Sequence, residues 1–351
     1  MTVYYSGPLG WTTLHGLKWD NIPRLTPTVQ LTTDDILVWF DVISEEQIKF
    51  LVENNGIPGH IISTAHADQF VDFCKVSHWP YFLLTASQVL QPGSGSHDHL
   101  PVEYCANFLI NKKRISRFLL LKLVKWFNLT SYNYTRSGIG DIHDLSRLLP
   151  EFEQLPLNII SDKSKFKTHV LSAVEQIPVK FQHSPGMGFD NVSVSNTGTY
   201  TWAWDNFAGK IVSQSAVSLI TESIGYEKYM VYTEKTLYAV CGLTFPIWVG
   251  GYKQAETWAK KGFDTFDDVI NHDYQYCDTL LERCVRAIAD NMKILTDLNF
   301  AREQKIKHLD RLRKNRELLI PIFTEQHQNF WKTAPKDLIE AVPPYLRLPS
   351  K

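Results

Sequence analysis

Short apolar runs alternate along this chain with segments whose apolar residues recur at helical spacing, and that alternation predicts an α/β protein. The clearest unit spans Gln214 to Gly251. Ala216 to Ile220 is a short apolar run and reads as a buried strand. Thr233 stands where a side-chain oxygen can cap a helix through Leu237, Val240 and Cys241, and Gly242 stands where that helix would stop. Phe245 to Val249 is a second apolar run, closed by Gly250 and Gly251. Two strands joined by a helix make a parallel unit, and such sheets bind ligands at the carboxyl ends of their strands. Those ends carry Glu222, Ser223, Glu234 and Lys235. The helix start offers backbone N–H groups to a phosphate. Lys235 adds a positive charge, and Glu234 can accept hydrogen bonds from a ribose.

The N-terminal third repeats the alternation. Asp35 to Phe40 predicts a strand. Ser44 to Gln47 is a capping box ahead of a helix from about Glu45 to Asn54. His60 to Ser63 predicts a second strand, Ala67 to Val76 a helix, Tyr81 to Thr85 a third strand, and Gln91 to His99 a loop. A second unit opens with a strand over Cys105 to Ile110 and a helix from Asn111 to about Phe127. Further helices are expected over Phe166 to Gln176, Gln254 to Lys260, Cys277 to Leu295 and Glu303 to Ile322. The division that follows is an α/β domain over 1–103, a second α/β domain over 104–300, and C-terminal helices over 301–351.

Composition narrows the classes. The chain has 351 residues, enough for two cores, and a net charge of −1, which removes any global pull toward nucleic acid. Ten Trp and fifteen Tyr supply either packing or stacking platforms for sugars and bases. Five Cys, an odd count without zinc-ligand spacing, predict reduced thiols and a cytoplasmic setting. The start carries no basic region followed by an apolar run, so no secretory leader is expected. No run approaches the ~20 apolar residues of a membrane span.

Lys112, Lys113, Arg114 and Arg117 gather where the second unit's first helix opens. Cations there oppose the helix macrodipole, so the placement predicts an anion nearby. Three groups of candidates could take a proton from a reacting hydroxyl. Asp41 follows the first strand and His66 the second. His97, Asp98, His99 and Glu103 follow the segment expected as the third. His97, Asp98 and His99 could alternatively hold a metal. The run from Arg302 to Arg316, with Arg311, Arg313 and Lys314 at its centre, is either a solvated helix face or a contact for nucleic-acid phosphates.

Ile220-Thr221-Glu222-Ser223, then Tyr232-Thr233-Glu234-Lys235, then a Pro-containing strand, resemble the donor-binding motif of the alpha-1,3-fucosyltransferase family. That family has Phe-Glu-Asn-Ser followed by Tyr-Ile-Thr-Glu-Lys. Here Thr221 stands at the family's Glu and Glu222 at its Asn, and the Ile after Tyr232 is missing. Gly262 to Phe266 and Asp273-Tyr274 resemble phage and bacterial glycosyltransferase-like proteins.

The resemblance implies a GT-B fold of two Rossmann-like domains. It also implies an inverting glycosyltransferase with a nucleotide-sugar co-substrate. The sequence has no metal-binding Asp-x-Asp motif, so a metal-independent mechanism without a further cofactor is expected. Glu234 would then contact the ribose, while Lys235 and either Arg114 or Arg117 contact the diphosphate. Glu222, Ser223, Tyr232 and Thr233 belong to the same donor-binding motif. Two acceptors are expected: a hydroxylated base in double-stranded phage DNA, which would place the protein in a host cytoplasm, or a bacterial glycan or lipopolysaccharide. A third expectation is a nucleotide-binding protein without transfer activity.

Overall fold

The computed structural model describes residues 2–6, 23–39, 45–63, 74–90, 95–110, 115–136, 148–172, 181–182, 204–222, 232–342 and 347. Its strands form two parallel sheets, as the alternation predicts. The first sheet is wound in chain order from β1 (Val3–Ser6), β2 (Ile36–Trp39), β3 (His60–Ser63) and β4 (Lys75–His78), with helix α1 (Glu45–Asn55) between β2 and β3. Side chains alternate across the pleat. Ile36, Val38 and Ile62 face one cluster with Trp79, while Leu37, Trp39 and Ile61 face another with Leu51 of α1. Asp35 fastens β1 beside β2. Its carboxylate accepts from the N–H of Thr2 at 3.0 Å, the N–H of Thr32 at 2.9 Å and the Thr32 hydroxyl at 3.0 Å.

The strand expected over Tyr81 to Thr85 is instead the start of helix α2 (Tyr81–Leu90). Leu83, Leu84, Ser87 and Leu90 are buried, at helical spacing. A five-residue apolar run looks the same in a buried strand and a buried helix, so its period could not decide. The helix expected over Ala67 to Val76 is also corrected, because Lys75 and Val76 belong to β4. Residues 67–73 lie outside the described residues.

The second sheet is built from β5 (Tyr104–Ile110), α3 (Ile115–Trp126), β6 (Tyr132–Arg136), α4 (Leu149–Gln154), α5 (Lys163–Leu171) and β7 (Phe181–Gln182). A π-helical turn over Trp204–Ala208 then leads into α6 (Gly209–Ser213), β8 (Ser215–Ile220), α7 (Glu234–Cys241) and β9 (Phe245–Trp248). The strand order is β7-β6-β5-β8-β9, all parallel. Winding proceeds outward from β5 on one side, then returns to β8 and β9 on the other, so the direction reverses between β5 and β8. Buried Asn107 braces that junction, donating at 3.0 Å to both the Val217 carbonyl and the Ser218 hydroxyl. Val217 and Leu219 face the cluster that holds α3, whereas Ile220 faces Leu237 and Val240 of α7.

The remaining helices are α8 (Gln254–Lys260), α9 (Leu280–Ala289), α10 (Met292–Thr296), α11 (Leu298–Lys307), α12 (Leu309–Thr333) and α13 (Lys336–Ala341). The two long helices expected over 277–295 and 303–322 are each interrupted. The first starts only at Leu280 and breaks at Asn291, whose side chain exchanges hydrogen bonds with the Asn271 backbone. The second breaks at His308, where α11 gives way to α12.

At 25 residues, α12 is about 38 Å long at 1.5 Å per residue. Leu319 and Phe323 pack with α7 and α2, while Phe330 and Trp331 pack on Trp79 and Val38 of the first sheet. Packing therefore crosses both expected domain boundaries. Helix α2 joins the second sheet's cluster, and residues 330–342 return to the first sheet's.

Candidate functional site

The carboxyl ends of β5 and β8 meet where the winding reverses, and a parallel sheet leaves a crevice at such a point. Three segments converge there: the first turn of α3 after β5, Thr221 and Glu222 after β8, and the first turn of α7. The α7 start forms as its sequence predicts. The Thr233 side chain accepts from the Lys235 N–H, and Gly242 closes the helix.

Glu222 is buried and acts as a brace within the protein. Its carboxylate accepts from the Thr233 N–H at 3.0 Å, from the Thr233 hydroxyl, and from the Thr236 hydroxyl at 2.7 Å. Thr236 in turn accepts from the Trp248 indole N–H at 2.9 Å, which ties α7 to β9. Burial drives the Glu222 carboxyl up, against the opposing pull of Lys235 and the three donors. A brace of this kind predicts a stability effect. Glu222→Gln is expected to lower the unfolding free energy by about 1–3 kcal/mol, read from the midpoint of urea unfolding. An unchanged midpoint would show that the carboxylate holds nothing together.

Glu234 and Lys235 pair across 2.6 Å, with side chains 19% and 7% exposed. Burial pushes the Glu234 carboxyl up. Lys235, its hydrogen bond, a backbone N–H and the charge of Arg117 together pull harder and hold it below its ordinary value. Arg117, 2% exposed, thus belongs to the same cluster. Tyr232 contributes packing: its ring lies 4.9 Å from that of Trp258, and its hydroxyl donates to the Gln254 carbonyl at 2.5 Å.

Two expectations for this edge are corrected. The α7 N-terminus does not offer open N–H groups, because Glu222 and Thr233 already cap it. Glu222 and Tyr232 are turned inward, toward the protein.

The expected base candidates divide. Asp41 and His66 lie outside the described residues, as do Arg114 and Ser223. Glu103 is exposed and precedes β5, with its N–H bonded to the Gln214 carbonyl at 2.8 Å. It therefore sits at the amino edge of the second sheet, a strand length of about 23 Å from the crevice.

Asp98 is clasped by Arg316, with hydrogen bonds of 2.7 and 2.8 Å, and Arg316 also donates to the Cys241 carbonyl at the end of α7. The His97 ring lies 6.0 Å from that of Trp204. His97, Asp98 and the neighbouring His99 therefore belong to a structural loop at the same amino edge. Among the described residues no group of three or more His, Cys, Asp or Glu side chains is arranged to hold a metal ion.

Arg311 is engaged inside the fold. It forms paired hydrogen bonds to Asp264 at 2.6 and 3.0 Å and to Asp268 at 2.8 and 2.9 Å, and lies 5.0 Å over the Phe266 ring. A guanidinium so held is not presented to a phosphate. In the same run, Arg302 donates to the Val102 carbonyl and Lys305 is buried. Arg313 and Lys314 are exposed, with Asp310 at 3.5 Å from Arg313. Among the described residues no helix is long and apolar enough to cross a membrane.

Sequence reasoning missed three residues at the crevice. Ser116 and Thr221 are buried with hydroxyls that lack a hydrogen-bond partner. Arg283, fully buried, holds the Gly250 carbonyl at 3.0 Å. Nothing in local spacing marks them, because burial and partner count arise only in the folded chain. Comparisons of the chain with protein-family models, with curated proteins and with solved structures find no match.

Proposed function

We propose that the carboxyl edge of the second sheet binds a nucleotide sugar, and that the protein transfers the sugar to an acceptor hydroxyl. One observation carries this reading. The reversal between β5 and β8 gathers Arg117, Glu234 and Lys235 into one buried, charged cluster at the edge where parallel sheets take nucleotides. Two cations beside a leaving diphosphate would stabilise the charge that develops as the sugar–oxygen bond breaks. The two-domain GT-B arrangement implied by the family resemblance is supported by two parallel α/β sheets tied by α12. On this reading the first sheet serves the acceptor. Asp41 and His66, which follow β2 and β3 in sequence, are the base candidates kept.

The reading also chooses between acceptors. The DNA acceptor rested on the basic run, the cytoplasmic setting and the resemblance to phage proteins. Of the run, Arg302, Lys305, Arg311 and Arg316 are bonded within the fold, which leaves Arg313 and Lys314 among its exposed cations and weakens that support. The glycan-type acceptor is the one retained.

Thermal-shift binding to a panel of nucleoside diphosphates and nucleotide sugars tests the site. At a ligand concentration of 100 Kd, one nucleotide is expected to stabilise the wild type by about 2.7 kcal/mol, a rise of several degrees. Lys235→Ala is expected to fold and to lose that rise. A folded wild type that no nucleotide shifts would end the reading.

A further inference from the structure

The α7 N-terminus is already occupied by the protein's own carboxylate, so a bound diphosphate needs other donors. The described residues hold two suitable ones at this edge. Ser116 lies in the first turn of α3, a 12-residue helix, and is 3% exposed. Thr221 follows β8 directly and is 1% exposed. Neither hydroxyl has a hydrogen-bond partner. Buried polar groups are nearly always paired, and each exception calls for an explanation.

The two hydroxyls also lie on one side of the sheet. Along β8, Ile220 faces α7 and Leu219 faces α3 and α9. The pleat turns Glu222 to the α7 side, where its hydrogen bonds confirm it, and so turns Thr221 to the α3 side. The Gly250 turn lies over Ser116. A Cβ at Gly250 would lie 2.7 Å from Leu280 Cδ1, 2.9 Å from Cys284 Sγ and 3.9 Å from Ser116 Cβ. Gly250 has φ 82, a conformation that glycine alone adopts without strain.

We propose that Ser116 and Thr221 are phosphoryl-binding residues: their hydroxyls donate to the oxygens of one phosphoryl group of a nucleoside diphosphate, seated at the N-terminus of α3 under the Gly250 turn. Arg117, on the same helical turn, supplies the charge. Helix α7 contributes Lys235 from the side and no backbone N–H. This inference rests on the nucleotide reading above and deepens it.

The test measures two quantities on Ser116→Ala, Thr221→Val and Thr221→Ser: the melting temperature without ligand, and the Kd for the nucleoside diphosphate that shifts the wild type. An unpartnered buried hydroxyl costs stability, so Ser116→Ala and Thr221→Val are expected to melt at or above the wild-type temperature. Loss of a hydrogen bond to a charged phosphoryl is expected to raise the Kd of each by about tenfold to hundredfold. Thr221→Ser keeps the hydroxyl and is expected to bind within a few-fold of wild type. The corresponding nucleoside, without phosphates, should bind all four proteins alike.

Unchanged diphosphate affinity in both Ser116→Ala and Thr221→Val would overturn the assignment while leaving the nucleotide site standing. So would a drop in melting temperature with equal losses for nucleoside and diphosphate, because that is the signature of a structural role. A wild type that binds no nucleoside diphosphate would remove the parent reading and this one together.

Discussion

Replacing Arg283 with Met is expected to lower the unfolding free energy by at least about 3 kcal/mol, because three carbonyls lose a charged donor at about 1–3 kcal/mol each. Arg283 is 0% exposed. Its Nε donates to the Gly250 carbonyl at 3.0 Å, and one terminal nitrogen donates to the Cys277 and Asp278 carbonyls, both at 2.9 Å. The guanidinium also lies 5.7 Å over the Tyr252 ring. Methionine fills much of the same volume, so the loss isolates the polar contribution. Three carbonyls are left without their donor, each costing about 1–3 kcal/mol when buried and unsatisfied.

The effect should reach the candidate site, because Arg283 fixes the turn that closes over Ser116. Nucleotide binding is expected to weaken in Arg283→Met at temperatures where the variant is still folded. Arg283→Lys should recover little, since an ammonium cannot reproduce the guanidinium fork that spans Gly250 and Cys277. Urea unfolding of the three proteins decides the matter. A loss below about 1 kcal/mol would mean that water replaces the guanidinium at these carbonyls.

What could be read from the sequence was what local chemistry determines. The unit over 215–248 has its signals within a few residues of one another: Thr233 as cap, Gly242 as stop, and apolar runs of strand length on either side. Strands β2 and β3 were legible for the same reason. Residues 81–90 were not, since the choice between helix and strand came from the apolar surfaces of α7 and α12 against which they pack. The breaks at Asn291 and His308 were equally hidden, because the Asn271 backbone that holds Asn291 comes from another segment.

The candidate site divides along the same line. Glu234 and Lys235 were visible as the start of a helix capped by Thr233, and they pair with each other in the first turn of α7. Glu222 was visible too, but its role turned from ligand contact to brace, since only the fold shows that Thr233 and Thr236 surround it. Arg311 looked like a free cation in a basic run. Its partners Asp264 and Asp268 lie more than forty residues away in sequence, beyond the reach of any helical pairing rule. Ser116 and Thr221 carried no signal, because a missing partner is a property of three-dimensional packing.

Lys305 predicts a pH dependence of the same sense as ordinary acid denaturation, stability rising with pH, but displaced to the alkaline side of neutrality. It projects from α11, is 7% exposed, and donates to the carbonyls of Ser213 at 2.9 Å, Ser215 at 2.7 Å and Gly242 at 3.4 Å. Those carbonyls belong to the end of α6, the start of β8 and the C-cap of α7. Helix C-termini attract a cation, but burial drives the Lys305 ammonium down to about 7, against a weaker opposing pull from Asp98. The unfolded chain keeps an ordinary lysine pKa near 10.4. Below pH 7 both states hold the proton, and this group adds no pH dependence. Between about 7 and 10.4 the unfolded state binds more protons than the folded one, so stability rises with pH across that window. The full rise is about 3–5 kcal/mol at 1.36 kcal/mol per pKa unit. Other groups titrate in the same range, so the difference between wild type and Lys305→Met is the quantity to follow, by urea unfolding at pH 7, 8, 9 and 10. That difference is expected to move steadily in favour of the wild type as pH rises. A flat difference would mean that the three carbonyls keep Lys305 charged throughout and that the ammonium is a permanent pin between α6, β8 and α7.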